Sequence, residues 1–169
     1  MKKGARREAS DSSRPLLYSK TCQFALRAME RIAAAEEKDP KAWVPQADLA
    51  LALDLSPPSL AQIVHRLRKA GLLSGQRGPS GGVGLARSAK RITVSEVVRA
   101  MDGGGIAGRC VLGFEPCSDD APCPAHPVWS VVRPVLEREL EHKSLFDLVR
   151  AVEGKKKLKT RRAPKSPPR

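Results

Sequence analysis

Two short helix-like segments, with almost no chain between them, precede a glycine-rich segment near the middle of the sequence. The apolar spacing of QADLALAL (46–53) and of residues 57–70 predicts two helices, and only three residues separate them. Ser56 is a favoured helix N-cap, and the prolines after it fall in the first turn, where proline is tolerated. The next segment, LLSGQRGPSGGVGLARS (72–88), has two short apolar pieces around a glycine-rich tip and predicts a hairpin. This order predicts a mainly helical fold that contains a helix-turn-helix and a small β-wing.

The second of these helices has one apolar and one polar face. Its polar face can hydrogen-bond to base edges and neutralise phosphates. A glycine-lined hairpin tip lets the backbone approach phosphates, and an arginine there can enter a narrow minor groove. We therefore predict double-stranded DNA as a partner, contacted by Ser56, Ser59, Gln62, Arg66, Lys69, Arg77, Gly78, Gly81 and Gly82. Two other interpretations are a helix face that is only solvated and a nucleotide loop at GPSGG, although that loop lacks the Gly-Lys-Ser/Thr of such loops.

Apolar periodicity predicts four further helices, at residues 17–35, 92–105, 128–143 and 144–152. The first of them buries Cys22 on its apolar stripe, and the second opens with a capping box in which Thr93 and Glu96 pair. The helix 128–143 has an apolar side with little left to pack on in so small a chain. We expect a second copy of the chain to cover this side, and we expect Pro134 to kink the helix or force a restart.

Most of the positive charge lies at the two ends of the chain. The formal net charge is +13, and residues 153–169 alone carry eight Lys and Arg against one Glu. Neither this segment nor residues 1–16 shows an apolar period. Both are predicted to be disordered basic arms, suited to a polyanion or only to solubility.

The sequence shows no membrane or export signal. No apolar run approaches the roughly 18 residues of a membrane span, and no apolar segment of a signal peptide follows the basic N-terminus. We therefore expect a cytoplasmic protein with no membrane partner. Because thiols stay reduced in the cytoplasm, the four cysteines indicate metal or redox chemistry before disulfides.

Three cysteines and one histidine share a single proline-rich loop, with the spacing Cys110-x6-Cys117-x5-Cys123-x2-His126. These residues supply four soft or borderline metal ligands. A tetrahedral zinc site fits them, but structural zinc usually shows tight Cys-x2-Cys pairs, and the wide gaps favour an iron–sulfur cluster. A zinc deaminase would need a His-x-Glu motif, which none of the three histidines begins, so we do not predict an enzyme.

The chain resembles the iron–sulfur cluster regulators of the IscR/NsrR type, in the Rrf2 family of bacterial winged helix-turn-helix repressors. The matching stretches cover roughly residues 17–151, and the most specific are RGPSGG (77–82) and the cysteine loop with CPAHPVW. The resemblance implies a homodimer that reads a palindrome, with the helix after the loop as the dimer contact. It also implies a [2Fe–2S] cluster, received from iron–sulfur assembly machinery and held by Cys110, Cys117, Cys123 and His126. A [4Fe–4S] cluster and zinc are the alternatives.

Two details limit what the resemblance implies. Some relatives take the fourth ligand from the start of the partner's first helix, which makes Cys22 an alternative ligand. Ser59-Leu60-Ala61 stands where relatives carry Tyr-Leu-Glu, so their operator sequences are not transferred to this chain.

The predicted function is transcriptional regulation. We expect a repressor that binds a palindromic operator, and we expect its binding to be controlled by an iron–sulfur cluster that senses iron–sulfur, redox or nitric oxide status. The alternatives are a winged-helix protein with structural zinc and no sensing role, and an assembly factor that carries the cluster. The predicted parts are a basic arm (1–16), a DNA-binding domain (17–105), a cluster loop (106–127), a dimer helix with a short helix (128–152) and a basic tail (153–169).

Overall fold

Six α-helices and one antiparallel pair of strands make up the part of the chain that the structure describes. The structure is a computed structural model, and it describes residues 18–78, 81–103, 109–114 and 117–162. This confirms the predicted fold class, mainly helical with a small β-wing. The elements are α1 (Lys20–Lys38), α2 (Gln46–Leu53), α3 (Pro57–Lys69), β1 (Leu73–Gln76), β2 (Gly82–Leu85), a 3-10 turn (Ala89–Arg91), α4 (Val94–Asp102), α5 (His126–His142) and α6 (Leu145–Arg162).

Side-chain caps explain where α1 and α4 begin. The Ser19 hydroxyl accepts a hydrogen bond from the N–H of Cys22 at 3.0 Å. The predicted capping box of α4 is confirmed, because the Thr93 hydroxyl accepts from the N–H of Glu96 while the N–H of Thr93 donates to the Glu96 carboxylate at 2.8 Å. Both caps satisfy N–H groups that have no partner within the first helical turn.

The core forms around α1, which packs against α2, α3, α4, α6 and β2. The apolar stripe predicted for this helix is buried, and Cys22 lies on it with no exposed surface, as predicted. The buried face of α3 packs into the same core. The helix-turn-helix therefore shares one core with α4, which precedes the cysteine loop, and with α6.

The wing is a two-stranded hairpin fastened to the residues before α2. Strands β1 and β2 pair from Leu73 opposite Leu85 to Gln76 opposite Gly82. Val44 forms a separate antiparallel bridge to β2, because it exchanges two 2.9 Å backbone hydrogen bonds with Val83. The wing and the helix-turn-helix are thus held as one unit.

The last helix corrects one prediction. Residues 153–169 were predicted as a disordered tail, but α6 continues to Arg162. The physical reason lies in α1, which presents carboxylates to the basic helix: Arg150 pairs with Glu37 at 2.8 Å, and Lys156 pairs with Glu30 at 3.7 Å. The predicted basic arm 1–16 and the remainder of the tail, 163–169, lie outside the described residues.

Helix α5 also differs from its prediction. It begins at His126, two residues earlier than expected, and it continues past Pro134 without a restart. An internal proline removes one backbone donor, and here that loss does not end the helix. No helix in the described ranges has the length and apolar character needed to cross a membrane.

Candidate metal and DNA-contact sites

Two of the predicted ligands, Cys110 and Cys123, form one donor pair. Their sulfur atoms lie 3.5 Å apart, and both thiols are free. This separation is far longer than the roughly 2.05 Å of a disulfide. It is close to the roughly 3.8 Å that tetrahedral geometry with metal–sulfur bonds of about 2.3 Å gives for two thiolates on one metal. The pair therefore fits two ligands of one metal ion.

The backbone around Cys110 favours its thiolate form. Burial raises the pKa of the Cys110 thiol, but hydrogen bonds from the backbone of Leu112, Phe114 and Gly113 and from Cys123 outweigh it, so the pKa is lowered. The thiolate is the form of cysteine that binds metals.

The other two predicted ligands, Cys117 and His126, form a second pair. The Cys117 sulfur lies 3.3 Å from Nδ1 of His126, and the opposite ring nitrogen, Nε2, lies 2.8 Å from Oδ1 of Asp119. A carboxylate on one ring nitrogen fixes the orientation of an imidazole that binds metal through the other. The position of His126 at the start of α5, where it is 8% exposed, fixes the ring further. Sequence reasoning missed Asp119, although its place in the loop was a usable signal.

The four donors stay as two pairs. Within the described ranges, no three His, Cys, Asp or Glu side chains are grouped closely enough to hold a single metal ion. The thiol and imidazole donors present are those that iron–sulfur clusters and zinc ions bind.

Cys22, the alternative ligand, lies in the core formed around α1. It has no exposed surface in the core, and burial, with a smaller effect of the nearby Asp102 carboxylate, raises its pKa to about 12. A protonated, enclosed thiol is a poor metal ligand.

The start of the cysteine loop is tied to the end of α4. The indole N–H of Trp129 on α5 donates to the carbonyl oxygen of Arg109 at 2.6 Å. The Arg109 guanidinium donates to the carbonyl oxygen of Asp102 at 3.1 Å and lies 4.0 Å from its carboxylate. The carboxylate of Asp102 also accepts hydrogen bonds from the backbone N–H and the hydroxyl of Ser19. Asp102 therefore joins the residue before Cys110 to the start of α1.

The same end of α4 binds the predicted DNA-contact helix. The Arg66 guanidinium of α3 donates to the carbonyl oxygen of Met101. Sequence reasoning placed Arg66 on the face that reads DNA, whereas its guanidinium lies in the contact between α3 and α4. Met101, which contacts α3, and Asp102, which contacts the cysteine loop, are thus adjacent residues of α4.

The other DNA-contact candidates on α3 divide into two groups. Ser56 and Ser59 form the helix cap, since the Ser56 hydroxyl accepts from the N–H of Ser59 and the two hydroxyl oxygens lie 2.8 Å apart. Gln62 and Lys69 are exposed on the side of α3 opposite its buried face.

The backbone of the wing explains why glycine occupies positions 78, 81 and 82. Gly78 has a φ of +111°, a conformation that favours glycine. A Cβ on Gly81 would lie 2.4 Å from the carbonyl oxygen of Gln76, and a Cβ on Gly82 would lie 2.4 Å from that of Val44. The hairpin itself thus requires glycine at these positions, and their predicted role in approaching phosphates stays a prediction. Arg77 is exposed next to the tip.

Helix α5 leaves an apolar stripe uncovered. Four valines at helical spacing are between 40% and 69% exposed: Val128, Val131, Val132 and Val135. Phe114 in the cysteine loop is also 70% exposed. An apolar stripe of this kind is typical of a surface that another chain covers.

The arrangement of the described elements defines the class of protein. A helix-turn-helix with a two-stranded wing is a winged helix-turn-helix, and this class binds DNA. Residues 18–151 match the family described as Rrf2, iron-dependent transcriptional regulator. The chain belongs to the Rrf2 family and is a transcriptional regulator of the IscR type.

Individual relatives agree with this assignment. The chain is 38% identical over 128 residues to the HTH-type transcriptional regulator IscR of Xenorhabdus nematophila, with 76% of each chain covered. It is 35% identical over 147 residues to the IscR of Photorhabdus laumondii, with 84% of this chain and 87% of that one covered. Among solved structures, T. potens IscR superimposes with a TM-score of 0.61 at 27% identity, covering 79% of this chain and 86% of that chain. CymR of B. subtilis shares the fold, with a TM-score of 0.65 at 24% identity over 79% of this chain and 95% of that one.

Proposed function

We propose that this chain regulates transcription as a homodimer on a palindromic operator, and that an iron–sulfur cluster on Cys110, Cys117, Cys123 and His126 controls its binding to DNA. The observation that carries the proposal is the division of these donors into two pairs, with separations of 3.5 Å and 3.3 Å. Two pairs suit a cluster of two irons better than a single tetrahedral zinc. The description of the matching family, iron-dependent transcriptional regulator, agrees with an iron cofactor, and the proposed form is [2Fe–2S].

When bound, the cluster supplies a redox-active centre that can be lost to oxidation, nitric oxide or iron starvation. Three of the four ligands lie in a loop that is only partly packed against the rest of the protein, since Cys117 and Cys123 are only partly buried. The loop is held by side-chain hydrogen bonds of Arg109, Asp119 and the Trp129 indole. A change at the metal ligands would therefore alter these hydrogen bonds.

The end of α4 offers a short physical route from the loop to α3. Arg109 binds Asp102 on the loop side, and Arg66 binds the adjacent Met101 on the α3 side. A shift of Arg109 that moves Asp102 would therefore be passed through the adjacent Met101 to Arg66 of α3. Coupling of this kind requires two discrete arrangements of a packed element, and the end of α4 is the element we propose.

The exposed stripe on α5 supports the homodimer. Its valines, 128, 131, 132 and 135, lie at the spacing of one helix face, and a twofold-related copy of the stripe can cover it. A dimer presents two α3 helices, which must be about one helical turn of DNA apart, roughly 34 Å, to read two half-sites. A small rotation at α5 therefore alters the match to the operator.

Operator selection tests this proposal. Protein is purified without oxygen, an operator is selected from a random duplex pool, and the cluster-loaded and cluster-free proteins are titrated on it and on a scrambled duplex. We expect a palindromic site and an affinity that differs between the two forms. Gln62→Ala should cost about 1–3 kcal/mol on the operator and almost nothing on the scrambled duplex. If no operator emerges, or if both forms bind it equally, the proposal is wrong.

A further inference from the structure

The part of α6 beyond residue 151 has no role in the function proposed so far. The residues that match the Rrf2 family end there, whereas the helix continues to Arg162. Three consecutive lysines in this extension, Lys155, Lys156 and Lys157, are exposed. Because successive residues of a helix lie about 100° apart, the three lysines cover about 200° of its circumference. The extension therefore presents positive charge on more than one side.

Carboxylates of α1 fix this extension to the rest of the protein. Arg150 pairs with Glu37 at 2.8 Å, and Lys156 pairs with Glu30, which is only 8% exposed, at 3.7 Å. The pairs advance along α6 while they go back along α1, so the two helices run antiparallel. The extension is thus held as a helix before any partner binds. A surface ordered in advance loses less conformational entropy on binding than a disordered tail does.

The lysines on either side of Lys156 are not used by this contact. Lys155 and Lys157 are each turned about 100° away from the side chain that meets α1. Neither of them forms an ion pair with a described carboxylate, whereas the charges of Arg150 and Lys156 are offset by glutamates. Lys155 and Lys157 therefore supply uncompensated positive charge at fixed positions.

The positive surface continues from α6 onto the 3-10 turn that follows the wing. Nζ of Lys90 in this turn and Cζ of Arg150 each lie 5.1 Å from the centre of the Phe146 ring. Phe146, Arg150 and Lys157 are four and seven residues apart, which is the spacing of one helix face. The face from Phe146 to Lys157 is about 16 Å long, and a duplex carries about nine phosphate charges over that length.

We propose that the α6 basic surface, defined as Lys90, Lys155 and Lys157, binds the phosphate backbone of the duplex that flanks the operator. The proposal rests on the proposed function and deepens it by adding a second contact, one that carries no sequence information. Position favours this partner, because α6 packs on the 3-10 turn, which begins four residues after the end of β2. The surface therefore lies next to the segment that leaves the wing, on a class of protein that already holds DNA.

The length of the flanking DNA separates this contact from operator reading. The full-length cluster-loaded protein is titrated at several salt concentrations on the selected operator alone. It is also titrated on the same operator extended on each side by about two helical turns of scrambled sequence. For the wild type, the flanks should raise the affinity and steepen the plot of log affinity against log salt.

Neutralising the surface should remove this gain. The double variant with Lys155→Gln and Lys157→Gln should bind the operator alone as the wild type does. On the extended duplex its salt slope should be shallower by about 0.9 for each phosphate that is no longer neutralised, or up to about 3.6 for the four lysines of a dimer.

Two further double variants control for net charge and for folding. Arg99→Gln with Lys143→Gln removes the same charge from positions where both residues pair with glutamates of α5, and it should keep the gain from the flanks. Lys155→Arg with Lys157→Arg keeps the charge of the surface and should behave as the wild type does. Far-UV circular dichroism should show equal helix content in all of these proteins.

Three results would overturn the proposal. The flanks bring no gain to the wild type, which would point to an acidic protein as the partner of α6; the Gln double variant keeps the gain; or it loses equal affinity on the short and the extended duplex. Failure of the wild-type protein to select any operator would instead overturn the proposed function.

Discussion

Asp119 and His126 are joined by a 2.8 Å contact between Oδ1 and Nε2, which turns the other ring nitrogen toward the Cys117 thiol. Only Nδ1 is thus free to act as a metal ligand. Asp119 itself is almost fully exposed, so its role here is to orient the ring and not to fill the core.

Removal of this carboxylate should loosen the cluster. Asp119→Ala is expected to weaken cluster retention by about 10–100-fold, because the imidazole loses the partner that fixes its orientation. The measurement is loss of visible absorbance under anaerobic challenge with a chelator. Asp120→Ala removes the neighbouring carboxylate and serves as the control. Equal retention in the two variants would show that Asp119 does not position the ligand.

Cys22 should be dispensable for the cluster. Its thiol is enclosed in the core and stays protonated at neutral pH, since its pKa is raised to about 12. Cys22→Ala should keep the absorption spectrum and lose about 1–2 kcal/mol of stability through the small cavity left in the core. In contrast, Cys117→Ala should abolish the spectrum. A folded Cys22→Ala protein without the spectrum would mean that Cys22 is a ligand.

Asp102 should couple the loop to DNA binding. Asp102→Ala removes the acceptor of Ser19 and the anion beside Arg109. Allosteric couplings between sites are typically 5–150-fold, and we expect the ratio of operator affinities between cluster-loaded and cluster-free protein to fall toward one. Titration of both forms on the selected operator gives this ratio. If the ratio in Asp102→Ala equals that of the wild type, the end of α4 is not the route.

The charge on Glu96 should make the stability of the capping box depend on pH. Burial alone would raise the pKa of Glu96, but the hydrogen bonds from Arg87 and Thr93 and the Arg87 charge outweigh it and lower the pKa below 4.5. The carboxylate therefore stabilises the fold above about pH 4.5, and this contribution is lost as the pH falls through the lowered value. Urea unfolding of the cluster-free protein should show Glu96→Gln to be about 0.5–1 kcal/mol less stable at pH 7, with a smaller difference at pH 3.5. A difference that does not shrink in acid would contradict the assignment.

Periodicity and capping signals predicted much of the fold. The apolar stripe of α1, the bounds of α2 and the Thr93–Glu96 box are local features, and each is confirmed. The extension of α6 to Arg162 was not predictable from its own residues, because the glutamates that pair with Arg150 and Lys156 lie on α1, more than a hundred residues earlier.

The candidate site shows the same limit. Spacing alone singled out the four metal donors, but their division into pairs depends on the path of the loop between Arg109 and α5. The contact of Arg66 with Met101 was missed because helical periodicity places Arg66 on the polar side of α3 and carries no information about the neighbouring helix.

Quantification of iron, acid-labile sulfide and zinc in anaerobically purified protein, together with its visible spectrum, tests the central claim most directly. We expect coloured protein with two irons and two sulfides per chain, lost in variants of Cys110, Cys117 or Cys123. Colourless protein that holds one zinc per chain and no sulfide would contradict the account.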